Sequence, residues 1–269
     1  AVCPEASRER IAMVGAGVEF VHMATLVHDD VVDNTATRRG KPTANSVFGN
    51  GVAVLSGDYI LARAMRLLTL DGDIRIIRTV SEITIEMSEG QVMEIRATGN
   101  PNLAMEDYLE ILRKKTAVFV EGCCRVGAMV AGGAEEVQES LARYGYAIGM
   151  AFQLADDLLD YTGDPAITGK PRGSDLKDGR ATLPFLLALE AGSTKEKAQL
   201  LQMFGVPDLS DADVRAVCEI LERYDCFERT RSAACSYLNE SDTALTILPL
   251  TPAKACFEQL TEFVVQRDR

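Results

Sequence analysis

No C-x-x-C pair occurs in this sequence, and its seven cysteines, Cys3, Cys123, Cys124, Cys218, Cys226, Cys235 and Cys256, are an odd number. That argues against a disulfide framework and a zinc site, and leaves reduced, mostly buried thiols. An excess of basic residues is missing too: 28 Lys and Arg against 40 Asp and Glu give a formal charge of −12. So acidic a chain repels phosphate backbones and anionic membrane surfaces, which excludes nucleic acid as the expected partner, although phosphates can still be held through cations. No uncharged apolar run reaches the roughly 18 to 20 residues of a membrane span. The stretch from Ile11 to Val27 is interrupted by Glu19 and His22, so a cytoplasmic protein without a transmembrane segment is expected. Nucleotide-binding glycine patterns are absent as well. Gly163 to Lys170 has the wrong spacing for a P-loop, with Pro171 where Ser or Thr is needed, and Gly15 with Gly17 does not complete G-x-G-x-x-G.

Strand pairs with hairpin turns are also lacking, whereas apolar residues, 47% of the chain, recur at helical spacing almost everywhere. Ile11, Val14, Val18, Val21, Thr25 and Val31-Val32 mark a first helix that ends at the Asn34–Gly40 break. Further helices are expected at about 50–70, 74–99, 105–131, 135–163, 180–192, 194–204, 211–224, 227–239 and 252–266. The predicted fold class is all-α, a single large helical bundle over residues 1–269. Small residues such as Gly127, Ala128, Gly145 and Gly149 mark places of close helix packing. The segment Gly163–Arg180 is too rich in glycine and proline for a helix and reads as a lid or binding loop.

Two acidic clusters carry the chemistry. His28-Asp29-Asp30-Val31-Val32-Asp33 sets Asp29 and Asp33 four residues apart on one helical face, with Asp30 about 100° around it. A lone cluster of this kind is usually a solvated helix end. This one follows an apolar helix and precedes the basic loop Arg38-Arg39-Gly40-Lys41, and Asp156-Asp157-Leu158-Leu159-Asp160 repeats its spacing after a second apolar helix. Hard divalent cations take oxygen ligands and bridge a few carboxylates to substrate phosphates, so paired clusters suit a diphosphate held through Mg²⁺.

At these residues a resemblance becomes specific. The run H-D-D-V-V-D-N-T-A-T-R-R-G-K-P-T-A-N resembles the first aspartate-rich motif of the trans-type polyprenyl diphosphate synthases, long-chain members included. F-Q-L-A-D-D-L-L-D-Y and the following G-K-P-R-G-S-D-L-K-D-G-R-A-T-L-P resemble that family's second motif and lysine loop, in the right order. The resemblance implies an all-α isoprenoid-synthase bundle with a central apolar cavity, and a homodimer. It implies a Mg²⁺-dependent prenyltransferase that condenses isopentenyl diphosphate with an allylic diphosphate, farnesyl or geranylgeranyl diphosphate, to make a long-chain polyprenyl diphosphate.

Residue by residue, the resemblance makes Asp29, Asp30, Asp33, Asp156, Asp157 and Asp160 metal ligands. It places Arg38, Lys115, Thr116, Gln153 and Lys170 at the allylic diphosphate, and His22 and Arg39 at isopentenyl diphosphate. Lys177 and Arg180 are weaker candidates at the allylic diphosphate. Asp29, Asp33, Lys115, Lys170 and Gln153 are the expected catalytic set. Cationic groups in a water-poor pocket would neutralise the departing diphosphate, and that diphosphate is the family's proposed proton acceptor. Ala24 and Thr25 occupy positions where the family's short-chain members carry bulky aromatics, which implies a product longer than farnesyl diphosphate. A G-G-K-R-x-R-P-type segment is absent; it would precede residue 1, so the chain is expected to lack the family's N-terminal helices. A class I terpene cyclase shares the first motif but carries an N-x-x-x-S-x-x-x-E-type second site, against which Asp156-Asp157-x-x-Asp160 argues. A non-catalytic subunit of a heteromeric synthase would have eroded aspartates, and here both clusters are intact.

Overall fold

The computed structural model describes residues 7–38, 40–164 and 171–266. Its described residues form an all-α architecture that divides into two compact units, Ala1–Thr84 with Gly122–Gln138, and Ile85–Glu121 with Glu139–Arg269.

The first unit is organised by α1 (Arg8–Val32) and α3 (Asn50–Asp71), with the short α2 (Ala44–Phe48) before α3. Ser7 caps α1, its hydroxyl accepting from the Arg10 amide. One face of α1, Val14, Gly17, Val21 and Ala24, packs against Ala53, Gly57, Ala64 and Leu68 of α3. Small residues set this seam: a Cβ on Gly17 would lie 2.9 Å from Leu68 Cδ2, and one on Gly57 would lie 2.3 Å from His28 Nε2. Arg10 closes the far end with a fork onto Asp71, Nε to Oδ1 at 2.6 Å and Nη2 to Oδ2 at 2.9 Å. By length and composition α1 could cross a membrane, with a mean hydropathy of 1.4 over its most apolar window. In the fold one face of it, Val14, Gly17, Val21 and Ala24, packs on α3, while Ile11, Met23 and Val32 are exposed.

The second unit contains α5 (Met105–Leu112), α8 (Ser174–Lys177), α9 (Leu183–Ala191), α10 (Thr194–Met203), α11 (Asp211–Arg223), α12 (Cys226–Ala244) and α13 (Pro252–Gln266). Three helices contribute to both units: α4 (Ile74–Ala97), α6 (Val118–Val130) and α7 (Glu135–Thr162). Helix α9 is apolar on every side and buried from Leu183 to Ala188, which makes it the core against which α11 and α12 pack. Capping boxes at Ser193/Glu196 and Ser210/Asp213 start α10 and α11. Tyr144 of α7 meets Phe257 of α13 edge-on at 5.0 Å and donates its hydroxyl to the Phe257 carbonyl at 2.9 Å.

Several local features depart from what the sequence leads one to expect, the short α2 among them. A small antiparallel hairpin, β1 (Thr37–Arg38) and β2 (Lys41–Pro42), turns through Gly40 at φ +73°. Two residues per strand are too few for any alternation to register. The helix expected at 105–131 is interrupted by a π-helical turn, Arg113–Ala117. Residues 174–177 of the expected loop form a helical turn, and α12 runs on from 239 to Ala244.

Candidate functional site

In the first unit, α1 ends at the acidic cluster, with Asp33 as its C-cap, its amide donating to the Asp29 carbonyl at 2.8 Å. Asp29 is half-buried and Asp33 exposed, on the face that also carries half-buried His22 two turns earlier. Asp30 points elsewhere. It is 6% exposed, and its Oδ1 accepts from Arg38 Nε at 2.9 Å and Nη2 at 2.8 Å. The loop after the cluster is clamped by buried Asn45, whose amide donates to the Asp30 and Thr35 carbonyls at 3.1 and 3.2 Å. His28 lies over Gly57, with Nε2 3.2 Å from the Val54 carbonyl and 3.3 Å from Asp58. Arg39 lies outside the described residues, as does Lys170 of the lysine loop.

The second cluster, in the other unit, repeats this division. Asp156 is exposed and Asp160 half-buried, one turn apart on α7, while Asp157 is 4% exposed. Tyr108 donates its hydroxyl to Asp157 Oδ2 at 2.6 Å, and Gln153 Nε2 donates to Oδ1 at 3.1 Å. Burial pushes the Asp157 carboxyl up to about 7, against the two donated bonds, which favour its charged form. Asp160 accepts from the Ser174 and Asp175 amides, both at 3.1 Å, which ties the start of α8 to the cluster. Asp175 is a further acid that the sequence reading passed over. Its carboxyl is driven well above the usual range by burial and by the nearby Asp160 and Asp157.

Lys115 and Thr116 fall within the π-helical turn, a distortion that often marks functional positions. Glycines hold that turn from two sides: a Cβ on Gly90 of α4 would lie 2.8 Å from the Lys115 amide nitrogen, and one on Gly149 of α7 would lie 2.6 Å from Ala117 Cα. Thr116 donates its hydroxyl to Gln153 Oε1 at 3.1 Å. One hydrogen-bonded chain therefore runs from Thr116 through Gln153 and Asp157 to Tyr108. Lys115 Nζ is ion-paired with Glu94 of α4. Lys177 is half-buried on α8. Thr116 and Gln153, expected together, are in contact; Tyr108, Asp175 and Glu94 had no signal beyond their residue types.

Of the six aspartates expected to bind metal, Asp30 and Asp157 are thus turned inward and bonded to side chains of their own unit. Asp29 with Asp33, and Asp156 with Asp160, keep the four-residue spacing on a more open face. Among the described residues no three His, Cys, Asp or Glu side chains converge as a self-contained metal cage. Pairs of hard carboxylates fit a cation that keeps water and takes its remaining oxygens from a bound phosphate, as Mg²⁺ does.

A family model described as polyprenyl synthetase matches residues 1–221. Octaprenyl diphosphate synthase of Escherichia coli is 38% identical over 256 residues, covering 95% of this chain and 79% of its own. A polyprenyl synthase from Caulobacter crescentus, solved with calcium and isoprenyl diphosphate, superposes with a TM-score of 0.92 at 34% identity, covering 98% of this chain and 81% of that one. A decaprenyl diphosphate synthase from Rhodobacter capsulatus gives 0.88 at 33% identity, covering 99% and 88%.

Proposed function

This chain belongs to the polyprenyl synthetase family, and from that premise we propose that it elongates an allylic diphosphate, farnesyl or geranylgeranyl diphosphate, with isopentenyl diphosphate to a long-chain polyprenyl diphosphate. The allylic C1–O bond breaks and diphosphate leaves with its electron pair. The isopentenyl double bond attacks C1, and a proton passes to the departing diphosphate, leaving a new allylic diphosphate one unit longer.

The observation that carries this reading is the division of labour seen in both clusters. The first and last aspartates share the less buried helical face, and the middle one is buried and turned onto side chains of its own unit. Asp29, Asp33, Asp156 and Asp160 are the proposed ligands of Mg²⁺, which when bound would neutralise charge on the leaving group. Asp30 and Asp157 act instead as anchors. Asp30 fixes the Arg38 guanidinium beside the first cluster, where it can take a diphosphate oxygen. Asp157, through Gln153, fixes Thr116 and with it the turn that presents Lys115. Lys115, Thr116, Gln153, Lys170 and Lys177 are assigned to the allylic diphosphate, and His22 and Arg39 to isopentenyl diphosphate. A donor held in place, as Thr116 is by Gln153, acts without reorganising as charge develops on the leaving oxygen.

The reading of a cytoplasmic enzyme rests on the packing of α1 against α3. The reading of a homodimer rests on the exposed stripe Val52, Leu55 and Tyr59 of α3, exposed by 52, 69 and 62%. The test of function is incubation with labelled isopentenyl diphosphate, farnesyl diphosphate and Mg²⁺, with products resolved by length. A metal-dependent ladder ending at one long product, lost in Asp29→Ala, is expected. Folded protein that elongates nothing would overturn the proposal.

A further inference from the structure

Three consecutive cations of the second unit each meet an acid on α4: Arg113 with Glu86 at 2.5 Å, Lys114 with Glu89, and Lys115 with Glu94. The third pair is set apart by its surroundings. Glu94 is 19% exposed, against 34% for Glu86 and 54% for Glu89, and the Lys115 side chain is 26% exposed. Gly90 lies one turn before Glu94 on the same face of α4, and its missing Cβ lets the helix backbone reach the π-helical turn. That approach sets the Glu94 carboxylate against Lys115.

A lysine assigned to an anionic substrate is thus already neutralised within its own unit. We infer that Glu94 is the resident counter-ion of Lys115, displaced when a diphosphate arrives and taking Lys115 back as inorganic diphosphate leaves. The inference rests on the assignment of Lys115 to the allylic diphosphate. An elongating enzyme must release inorganic diphosphate after every condensation. Cations with no alternative partner would hold that dianionic or trianionic product strongly, whereas a cation with a half-buried carboxylate at hand gives part of the binding energy back. Glu94 is a positioning residue in this account and touches no reacting atom.

The test uses the full chain with Mg²⁺ and inorganic pyrophosphate as the probe, its affinity measured by calorimetry and as product inhibition. Glu94→Gln keeps a hydrogen-bond acceptor for Lys115 Nζ and removes the charge. Pyrophosphate should then bind about three- to thirtyfold more tightly, the span expected for a half-buried charged contact. The KM for the allylic diphosphate should fall with it, and steady-state kcat should drop while the single-turnover condensation rate holds. Glu89→Gln, which removes the equivalent partner of Lys114, should move none of these. In a Lys115→Ala background Glu94→Gln should have no effect on pyrophosphate affinity. If Glu94→Gln fails to fold, Glu94→Asp, which draws the carboxylate back by one methylene, should tighten binding in the same direction to a smaller extent.

Unchanged or weaker pyrophosphate binding in the folded variant would overturn the inference, and so would equal tightening without Lys115. A wild-type chain that neither binds pyrophosphate nor elongates would instead overturn the functional reading beneath it.

Discussion

Replacing Gly149 by alanine sets two effects of known size against each other. Alanine is favoured over glycine inside a helix by about 1 kcal/mol. At Gly149 the new methyl would lie 2.6 Å from Ala117 Cα and 3.1 Å from Ala117 Cβ. The obstacle is the backbone of the π-helical turn, which no side-chain rotation can clear, so α7 and the turn must separate by roughly an ångström. Overpacking of this kind costs about 1–3 kcal/mol, and a rigid backbone neighbour puts it at the upper end. A net destabilisation of about 1–2 kcal/mol follows. Gly127 of α6, expected from the sequence at a close helix contact, is instead exposed, a Cβ there meets nothing within 4 Å, and it is the control. Gly127→Ala should therefore stabilise by about 0.5–1 kcal/mol. Urea unfolding of both variants measures the difference. Since Lys115 and Thr116 adjoin Ala117, Gly149→Ala should also lower kcat/KM by about tenfold or more through misplacement. A Gly149→Ala protein as stable and active as Gly127→Ala would refute the close approach and with it the rigidity assigned to the turn.

Three further outcomes follow from the geometry. Arg75 holds the Asp73 carboxyl at about 2, below its ordinary 3.8, so the pair stabilises the fold above pH 3.8 and that stability is lost as pH falls through about 2. Arg75→Ala should flatten the acid limb of a pH–stability curve in that window, as seen in thermal melts. Asp157 behaves in the opposite sense: its folded value, about 7, lies above 3.8, so stability present below 3.8 is lost as pH rises through about 7. In chelator, Asp157→Asn should shrink the decline that begins at 3.8, the raised Asp175 carboxyl sustaining the rest. Leu55→Arg should convert the proposed dimer to monomer in sedimentation, since it places a charge in an exposed apolar stripe.

Helix existence was legible because long amphipathic or apolar segments repeat their period many times. The π-helical turn was not, since one extra residue in a turn leaves the apolar pattern of 105–131 almost unchanged, and the hairpin at Arg38 and Lys41 is too short to show alternation. The aspartate spacing told which residues share a helical face, and Asp29 with Asp33 and Asp156 with Asp160 do. What spacing cannot tell is which way the odd member turns. Asp30 and Asp157 carry the same symbol as their neighbours and differ only in what the fold brings to them, Arg38 from the hairpin and Tyr108 from α5. Tyr108 is 49 residues from its partner, and Glu94 is 21 from Lys115, so neither pairing follows from local pattern.

The same limit bears on product length, where the sequence offered Ala24 and Thr25 as equals. The fold separates them. Ala24 is 1% exposed and continues the row Val14, Gly17 and Val21 that packs on α3. A bulky residue there must force two backbones apart, and Ala24→Phe is expected to cost more than about 3 kcal/mol, beyond ordinary overpacking. Thr25 stands about 100° around the helix from it, half-buried, with its hydroxyl donated to the His22 carbonyl at 2.8 Å. Thr25→Phe loses that local bond but leaves the α1–α3 seam alone. If the growing chain runs along α1 away from Asp29, a ring at position 25 meets it about one turn, 5.4 Å, below the cluster, close to the length of one extended isoprene unit. Thr25→Phe should then fold normally and release a markedly shorter polyprenyl diphosphate, read directly from the product ladder. An unchanged ladder would mean that the chain leaves this face of α1, and the wall that stops it would have to be sought on another helix.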